Sequence, residues 1–207
     1  MYLPSHFREE RADVLRGLMT RHPLAALVTT GTEGIEANHI PLLYQPGPAP
    51  LGTLRGHLSR ANNQWRNYSG DVDALAIFQG PDAYITPNAY PTKQKTGRAV
   101  PTWNYAVVHV YGRLTVYSDP VKLRAFLDDL TATHEADRPE PWKPSDAPPE
   151  YVEGLLKAIV GIELSVTRID GKWKVSQNQP SENRTGAAEW LDARDPEMAR
   201  LIRHHGA

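Results

Sequence analysis

The sequence predicts an α+β fold that is mainly antiparallel β, in which short strands form a closed or nearly closed barrel with peripheral helices. Its length of 207 residues suits one domain with additional elements, since most domains have about 100 to 150 residues. The apolar residues, 40% of the chain, occur in short strand-like runs between glycines and prolines. Because closure removes the exposed edges of such strands, we expect them to form a barrel. The length favours one domain over residues 1–207.

The first part of the chain predicts a helix, three strands and a second, short helix. Residues 1–22 form the predicted N-terminal helix, because Ser5 can cap it and Pro23 disfavours helix before it. Glycines in the loop at 31–34 suit a hairpin between the next two strands. The elements predicted after the helix are strands at 24–30, 35–44 and 51–58 and a polar helix at 60–68.

The middle of the chain combines a clear strand with a segment rich in proline. A strand is predicted at 74–79, and residues 84–86 can extend the sheet. Pro87, Pro91 and Pro101 should keep the segment between them irregular, because proline donates no hydrogen bond to a strand ladder.

The last part of the chain begins with a run of β-branched and aromatic residues that predicts a long strand at 105–117. Asp119, a good capping residue, stands before Pro120 and predicts the start of a helix. Asp170-Gly171 suits a two-residue hairpin turn. The remaining predicted elements are a proline-rich surface loop at 138–149, a helix at 150–158, a hairpin of strands at 159–169 and 172–177, and two helices within 181–207.

The composition excludes several kinds of site. The chain has no cysteine, which excludes disulfides, iron–sulfur clusters, zinc–thiolate sites and thiol nucleophiles. No run reaches the roughly 20 apolar residues of a membrane span. The formal net charge is -1, so the molecule as a whole lacks the positive field that nonspecific DNA binding uses. We expect a cytoplasmic protein with no membrane partner.

Common catalytic and metal-binding motifs are also missing from the sequence. There is no P-loop, dinucleotide-binding glycine turn, Gly-x-Ser-x-Gly elbow or His-Glu-x-x-His helix. His39, His57 and His109 stand in predicted strands without a neighbouring ligand at metal spacing, so structural roles are favoured and no metal site is predicted. No pattern of acids and bases identifies a catalytic residue.

Asn38 and His39 place polar side chains in an otherwise apolar strand. A buried polar group without a partner costs about 1–3 kcal/mol, so these side chains need partners. A ligand or a structural hydrogen-bond network would satisfy them equally well, and the pattern leaves both open.

Cations and amides are concentrated around a strand end and the start of a helix, at Arg55, His57, Arg60 and Asn62. A guanidinium can bind phosphate oxygens bidentately, and free N–H groups at a helix start add donors. This group therefore predicts a phosphate-bearing ligand. A polar loop that makes surface salt bridges is the alternative.

Lys93, Lys95 and Arg98 lie between two runs that contain aromatic residues, the second of which includes Trp103. A flavin could stack on the aromatic rings with its phosphate near the cations, and a nucleic acid could use the same groups. A solvated basic loop with Trp103 in the core is the third possibility.

Short motifs distributed over nearly the whole chain carry a family resemblance. They are residues 2–4 (YLP), 37–41 (ANHIP), 52–57 (GTLRGH), 60–62 (RAN), 78–81 (FQGP), 90–93 (YPTK), 100–105 (VPTWNY), 108–109 (VH) and 171–178 (GKWKVSQN). Together they resemble the PaiB-type FMN-binding negative transcriptional regulators. The resemblance implies an FMN-binding split β-barrel, related to the pyridoxamine-phosphate oxidase and flavin reductase barrels, that works as a homodimer with FMN between its subunits.

The resemblance also implies a set of cofactor-binding residues. The residues implied near the phosphate are Arg55, His57, Arg60 and Asn62; those implied along the ring or ribityl edge are Asn38 and His39; those implied to come from the partner subunit are Lys93, Trp103 and Asn104; and Gln79 and Gln177 complete the set. Two positions depart from the family pattern. Ala89 stands where tryptophan often precedes Tyr90, and Gln179 stands where arginine often follows the Gln-Asn pair, so one aromatic wall and one cation are missing.

Two activities are compatible with this resemblance. The family label implies repression of transcription, although no helix-turn-helix pattern is found and DNA as a partner rests on the label alone. The alternative is an FMN-dependent oxidoreductase or flavin reductase with a nicotinamide donor, because a flavin in an open groove can accept hydride.

Overall fold

The structure, a computed structural model, describes residues 1–47 and 49–205. The strands are Arg8–Glu9 (β1), Leu24–Gly31 (β2), Gly34–Pro41 (β3), Leu43–Gln45 (β4), Thr53–Ser59 (β5), Ala74–Ile85 (β6), Thr102–Tyr117 (β7) and Ile159–Lys174 (β8). The α-helices are Ala12–Arg21 (α1), Gln64–Asn67 (α2), Pro91–Thr96 (α3), Pro120–Glu135 (α4), Pro149–Lys157 (α5), Ser181–Leu191 (α6) and Pro196–His204 (α7). The end of the predicted C-terminal segment, residues 206 and 207, lies outside the described residues.

The strands form one mainly antiparallel sheet in the order β3-β2-β6-β7-β8-β5-β4, and β1 pairs with β8. The β2–β3 register sets Ala26 opposite His39, and the β5–β8 register sets Arg55 opposite Glu163. Because β3 and β4 end the strand order, the sheet is not closed. The predicted α+β, mainly antiparallel class is confirmed, in the split form of the barrel.

The chain divides into two compact units, each built from several chain segments. The first unit contains residues 1–18, 78–109 and those from 170 onward, and the second contains residues 19–77 and 110–169. The single domain expected over the whole chain stays a prediction.

In the second unit, strand β5 shows the alternation expected of a strand with two different faces. Leu54 and Leu58 are buried in the core, whereas Arg55 and His57 occupy the intervening positions on the opposite face.

Helix α4 begins after Asp119, whose carboxylate accepts a hydrogen bond from the Lys122 backbone N–H at 2.8 Å, as the capping pattern predicts.

The first unit is built around buried side chains from strands and helices, which are Leu15, Leu18, Phe78, Ile85, Trp173, Met198 and Ile202. Helices α6 and α7 pack against each other. The predicted cap of α7 is present, because the Asp195 carboxylate accepts from the Met198 N–H at 2.9 Å.

The predicted N-terminal helix is wrong over its first half. Ser5–Phe7 is a 3-10 turn and Arg8–Glu9 is a strand, so the α-helix begins only at Ala12. The cause is a pairing with distant residues, in which Arg8 lies opposite Lys172. The Glu9 carboxylate then accepts from the Arg11 N–H at 2.7 Å, next to the start of the helix. The predicted end near His22 agrees with the observed end at Arg21.

The predicted hairpin at Asp170-Gly171 is also wrong, because strand β8 runs through both residues without turning. A type I′ turn needs positive φ, and Gly171 is not among the glycines with positive φ. A Cβ on Gly171 would lie 2.2 Å from Leu15 Cδ2 and 2.8 Å from the Glu9 carbonyl oxygen. Glycine is therefore required here for close packing rather than for a turn.

The proline-rich middle segment is more regular than expected. Strand β6 continues without a break to Ile85, and Pro91 occupies the first turn of α3, where its missing N–H is not needed. The predicted strand at 35–44 divides instead at Leu42, whose N–H donates to the Pro23 carbonyl at 2.9 Å.

The described residues contain neither a membrane-spanning helix nor a cluster of metal-binding side chains. No helix within them is long and apolar enough to cross a membrane. Nor do they bring together three or more histidine or acidic side chains that could hold a metal ion.

Candidate functional site

Arg55 and His57, predicted near a phosphate, lie in the second unit on the face of β5 that contacts helix α4. The Phe126 ring centroid is 5.4 Å from the Arg55 guanidinium carbon and 6.0 Å from the His57 ring centroid. Arg55 donates a hydrogen bond to the Asp129 carboxylate. Burial lowers the pKa of His57, which favours the neutral imidazole. Arg55 already has an internal counter-ion, and His57 contributes no positive charge at neutral pH.

Arg60 lies at the C-terminal end of β5 and is bonded to backbone rather than to a carboxylate. Its Nε donates to the Lys157 carbonyl at 2.8 Å and its Nη2 to the Ile159 carbonyl at 2.9 Å. No carboxylate in the described part of the chain pairs with this guanidinium. Its orientation is therefore fixed while its charge remains available to an anion.

Asn38 and Asn62 belong to one hydrogen-bond network around Gln64, whose side chain is fully buried. Gln64 donates to the Leu27 carbonyl at 2.9 Å and accepts from Asn38 Nδ2 at 3.0 Å. The Asn62 side-chain oxygen accepts from the Gln64 backbone N–H at 2.9 Å. This network favours the structural alternative for Asn38. The neighbouring His39 is exposed on strand β3.

Trp103, in the first unit, is 54% exposed, which rules out the alternative that it is a core residue. Its ring lies edge-to-face with that of Tyr84, with centroids 5.9 Å apart and an interplanar angle of 67°. The Lys174 ammonium donates to the Trp103 carbonyl at 2.7 Å and also to the Thr102 hydroxyl. Burial lowers the pKa of Lys174. The strand that carries Trp103 is thus fixed while the indole stays accessible.

The remaining predicted residues of the first unit differ in exposure. Asn104 is buried and donates to the Ser176 hydroxyl at 2.8 Å, whereas its Oδ1 has no hydrogen-bond partner among the described residues. Gln177 donates to the Trp173 carbonyl at 2.5 Å and accepts from the Val175 N–H at 2.8 Å. Gln79 and Lys93 are exposed, and the Lys93 ammonium donates to Asn88 Oδ1.

The structure thus brings six of the eleven predicted cofactor-binding residues into three local groups. They are Arg55 with His57, Asn38 with Asn62, and Trp103 with Asn104, the last pair being adjacent in sequence. Sequence reasoning missed Tyr84, Lys174 and Ser176 as neighbours of Trp103 and Asn104. Lys174 and Ser176 stand in the 171–178 motif, which could have identified them, and Ser176 has a φ of 65°, unusual for a residue other than glycine.

Comparisons with known proteins agree with this fold and these motifs. Residues 1–168 match the family described as "Putative FMN-binding domain". The chain is 31% identical to an uncharacterised protein of Aspergillus fumigatus, over 100% of this chain and 98% of that protein. It is 30% identical to the protease synthase and sporulation protein PAI 2 of Bacillus subtilis, over 92% of this chain and 89% of that protein.

Among solved structures, the FAD and heme binding protein from Mycobacterium smegmatis is similar, with a TM-score of 0.56 at 16% identity over 81% of this chain and 73% of that chain. The fold is that of the flavin-binding split β-barrels. The chain belongs to the PaiB-type family of FMN-binding proteins, and it is a flavin-binding protein of that type.

Proposed function

We propose that the flavin is FMN, and that a homodimer holds it with residues from both chains. The observation that carries this proposal is the exposed aromatic pair Trp103 and Tyr84 on a fixed part of the sheet. Family membership supports a flavin ligand. The proposal adds the identity of the flavin and the side chains that bind it.

The aromatic pair suits the flat ring system of a flavin. Trp103 is 54% exposed and Tyr84 is 48% exposed, so both rings offer surface to a ligand or to a second chain. Stacking of a planar heterocycle on one aromatic side chain contributes about 1–3 kcal/mol. Lys174 holds the Trp103 carbonyl and the Tyr84 ring lies against the indole, so part of the ordering cost is already met before a ligand binds.

Arg60 is the best candidate to contact the FMN phosphate. Its guanidinium is held by two backbone carbonyls, and no described carboxylate neutralises its charge. A phosphate can therefore approach without displacing an internal ion pair. Arg55 is less suited, since Asp129 would first have to leave its guanidinium.

The proposed second chain supplies Trp103 and Lys93 to the site that contains Arg60. Two exposed aromatic rings on a rigid strand pair are typical of a surface that a partner covers. A chain without cysteine is compatible with the reducing cytoplasm, where we place the protein.

The cofactor is tested by the visible spectrum of freshly purified protein, with the released chromophore identified by mass. We expect a flavin spectrum and the mass of FMN. Release of FAD alone would contradict the assignment of FMN, and a protein that neither contains nor takes up any flavin would contradict flavin binding itself.

The shared site is tested by subunit exchange between a Trp103→Ala dimer and an Arg60→Ala dimer. Each heterodimer would have one intact site and one site that lacks both side chains. A heterodimer should therefore bind half as much FMN as a wild-type dimer. Trp190→Ala, which removes a 38% exposed tryptophan elsewhere in the first unit, is the control and should bind FMN without mixing. Two folded, exchanging variants that regain nothing would overturn the shared site.

Repression of transcription is the activity that the family name suggests, and we keep it as part of the proposal. Retarded migration of DNA in a gel mobility-shift assay, with a shift that weakens as salt is added, would support repression. Reduction of the bound flavin by NADH or NADPH, without DNA binding, would support the oxidoreductase instead.

A further inference from the structure

A cavity of about 320 Å³ lies between helices α6 and α7 of the first unit. The residues that line it are Ser181, Arg184, Thr185, Ile202 and Arg203. None of them belongs to the candidate flavin site. All of them lie after residue 168, where the match to the FMN-binding family ends, so that match assigns this cavity no role.

Arg184 brings a positive charge to this cavity that the chain does not neutralise. Its Nη2 donates to the Ile202 carbonyl at 3.1 Å, and its Nε is buried without a hydrogen-bond partner in the described chain. No described carboxylate forms an ion pair with it. A guanidinium stays protonated, and a partly buried charge without a counter-ion is unfavourable. An anion in the cavity would remove this penalty.

Two acidic residues in and directly after α6 are engaged with other cations. Asp192 accepts both terminal nitrogens of Arg203, at 2.7 Å and 2.6 Å. Glu182 is paired with Lys95. The charge of Arg203 is therefore neutralised by Asp192, and Arg184 is left for an external anion.

Further hydrogen-bond donors come from the first turns of α6. Ser181 and Thr185 are four residues apart, so they lie on one face of the helix. Neither hydroxyl makes a hydrogen bond with another described residue. Helix α6 also begins after Pro180 without a side-chain cap, so its first N–H groups and its dipole add to the attraction of an anion.

We propose that this cavity binds the phosphate group of a small phosphomonoester. The Arg184 guanidinium and two hydroxyls offer donors from several directions, which suits a tetrahedral oxyanion better than a planar carboxylate. The volume exceeds that of one phosphate group and lies at the lower end of small-molecule pockets, about 300–1,000 Å³. A simpler explanation makes Arg184 only a cap for the last carbonyls of α7, and it predicts no anion binding.

The test is a calorimetric titration of the purified chain, with and without flavin, with inorganic phosphate and with glycerol phosphate. When the flavin site is filled with FMN, we expect one phosphate site per chain, tighter binding of glycerol phosphate, weaker binding of acetate, and an unchanged flavin spectrum. Arg184→Gln should weaken binding about ten-fold to a hundred-fold, because it removes a charged hydrogen-bond donor. Thr185→Val should weaken it several-fold. Arg194→Gln, which removes a charge that lies over the Trp190 ring, is the matched control and should stay within two-fold.

Several outcomes would overturn the proposal. They are no binding to the wild-type chain, equal losses in Arg184→Gln and Arg194→Gln, unchanged binding in folded Thr185→Val and Arg184→Gln, or release of flavin by phosphate. If Arg184→Gln does not fold, Thr185→Val decides the question, because the Thr185 hydroxyl holds no part of the helix pair. Binding to the chain whose flavin site is filled with FMN separates this proposal from the proposed FMN site.

Discussion

The His205 imidazole is stacked on the Trp173 indole, with ring centroids 5.5 Å apart and planes inclined by only 18°. Its Nε2 lies 3.2 Å from a Glu9 carboxylate oxygen, and its Nδ1 lies 3.3 Å from Arg11 Nη2. Arginine can only donate, so Nδ1 accepts and Nε2 carries the hydrogen. The contact therefore uses the neutral imidazole and attaches the end of the described chain to β8.

This contact predicts that the protein loses stability as the pH falls. Burial lowers the pKa of His205 below its ordinary value of 6.5, with Arg11 adding to this effect and Glu9 opposing it. Below about pH 6.5 the unfolded chain therefore binds a proton more readily than the folded chain does. The contribution of the neutral His205 side chain to the free energy of unfolding is present above this pH and declines below it. We expect the melting temperature to fall between pH 7.5 and 5.5.

His205→Phe is the matched control, because it keeps an aromatic ring over Trp173 and removes the titration. The difference in melting temperature between wild type and this variant should narrow as the pH is lowered. Burial lowers the pKa of His57 as well, but that effect is present in both proteins and cancels. A constant difference at all pH values would contradict the prediction.

Arg60→Ala should weaken the binding of FMN far more than that of riboflavin, which lacks the phosphate. One charged hydrogen bond contributes about 1.5–3 kcal/mol, or roughly ten-fold to a hundred-fold in affinity. Equilibrium titration of both flavins by fluorescence quenching measures the difference. Arg60 also joins the carbonyls of Lys157 and Ile159, so a purely structural effect would weaken both flavins equally and would contradict the phosphate contact.

Trp103→Ala and Trp173→Ala should separate binding from stability. Trp103 is 54% exposed and Trp173 is 2% exposed. We expect the free energy of unfolding to fall by less than about 1 kcal/mol for Trp103→Ala and by about 3–5 kcal/mol for Trp173→Ala. Urea denaturation of the flavin-free proteins measures both free energies of unfolding. A large decrease for Trp103→Ala would contradict the exposed position of its side chain.

Gly171→Ala should destabilise the protein, because the new Cβ would lie 2.2 Å from Leu15 Cδ2 and 2.8 Å from the Glu9 carbonyl oxygen. Overpacking of this kind costs about 1–3 kcal/mol. Gly70→Ala is the control, since nothing lies within 4 Å of its Cβ position and no positive φ is recorded there. Denaturation of both variants gives the comparison, and equal stabilities would contradict the continuous strand at Gly171.

Features decided by neighbouring residues could be predicted from the sequence. The caps at Asp119 and Asp195 and the strand that begins at Leu24 follow from residue types within a few positions, and the structure confirms them. The family motifs also predicted the split β-barrel fold and the binding of a flavin. The two caps and this strand start could therefore be predicted, because each depends on residues within a few positions.

Features decided by distant residues could not be predicted. Asp170-Gly171 is a good local turn signal, yet Gly171 is needed because Leu15 approaches it. Nothing near Arg60 in the sequence indicates that its donors meet carbonyls of Lys157 and Ile159. The importance of Tyr84 likewise depends on Trp103, which follows it on the neighbouring strand.

The continuity of β8 has a consequence for how this family is divided into modules. The family match ends at residue 168, and β8 extends from Ile159 to Lys174. The end of the family match therefore falls inside a strand, before the residues that pair with β1. A chain cut at residue 168 would lose the partner of β1, although the relative from Aspergillus fumigatus is similar over the whole chain.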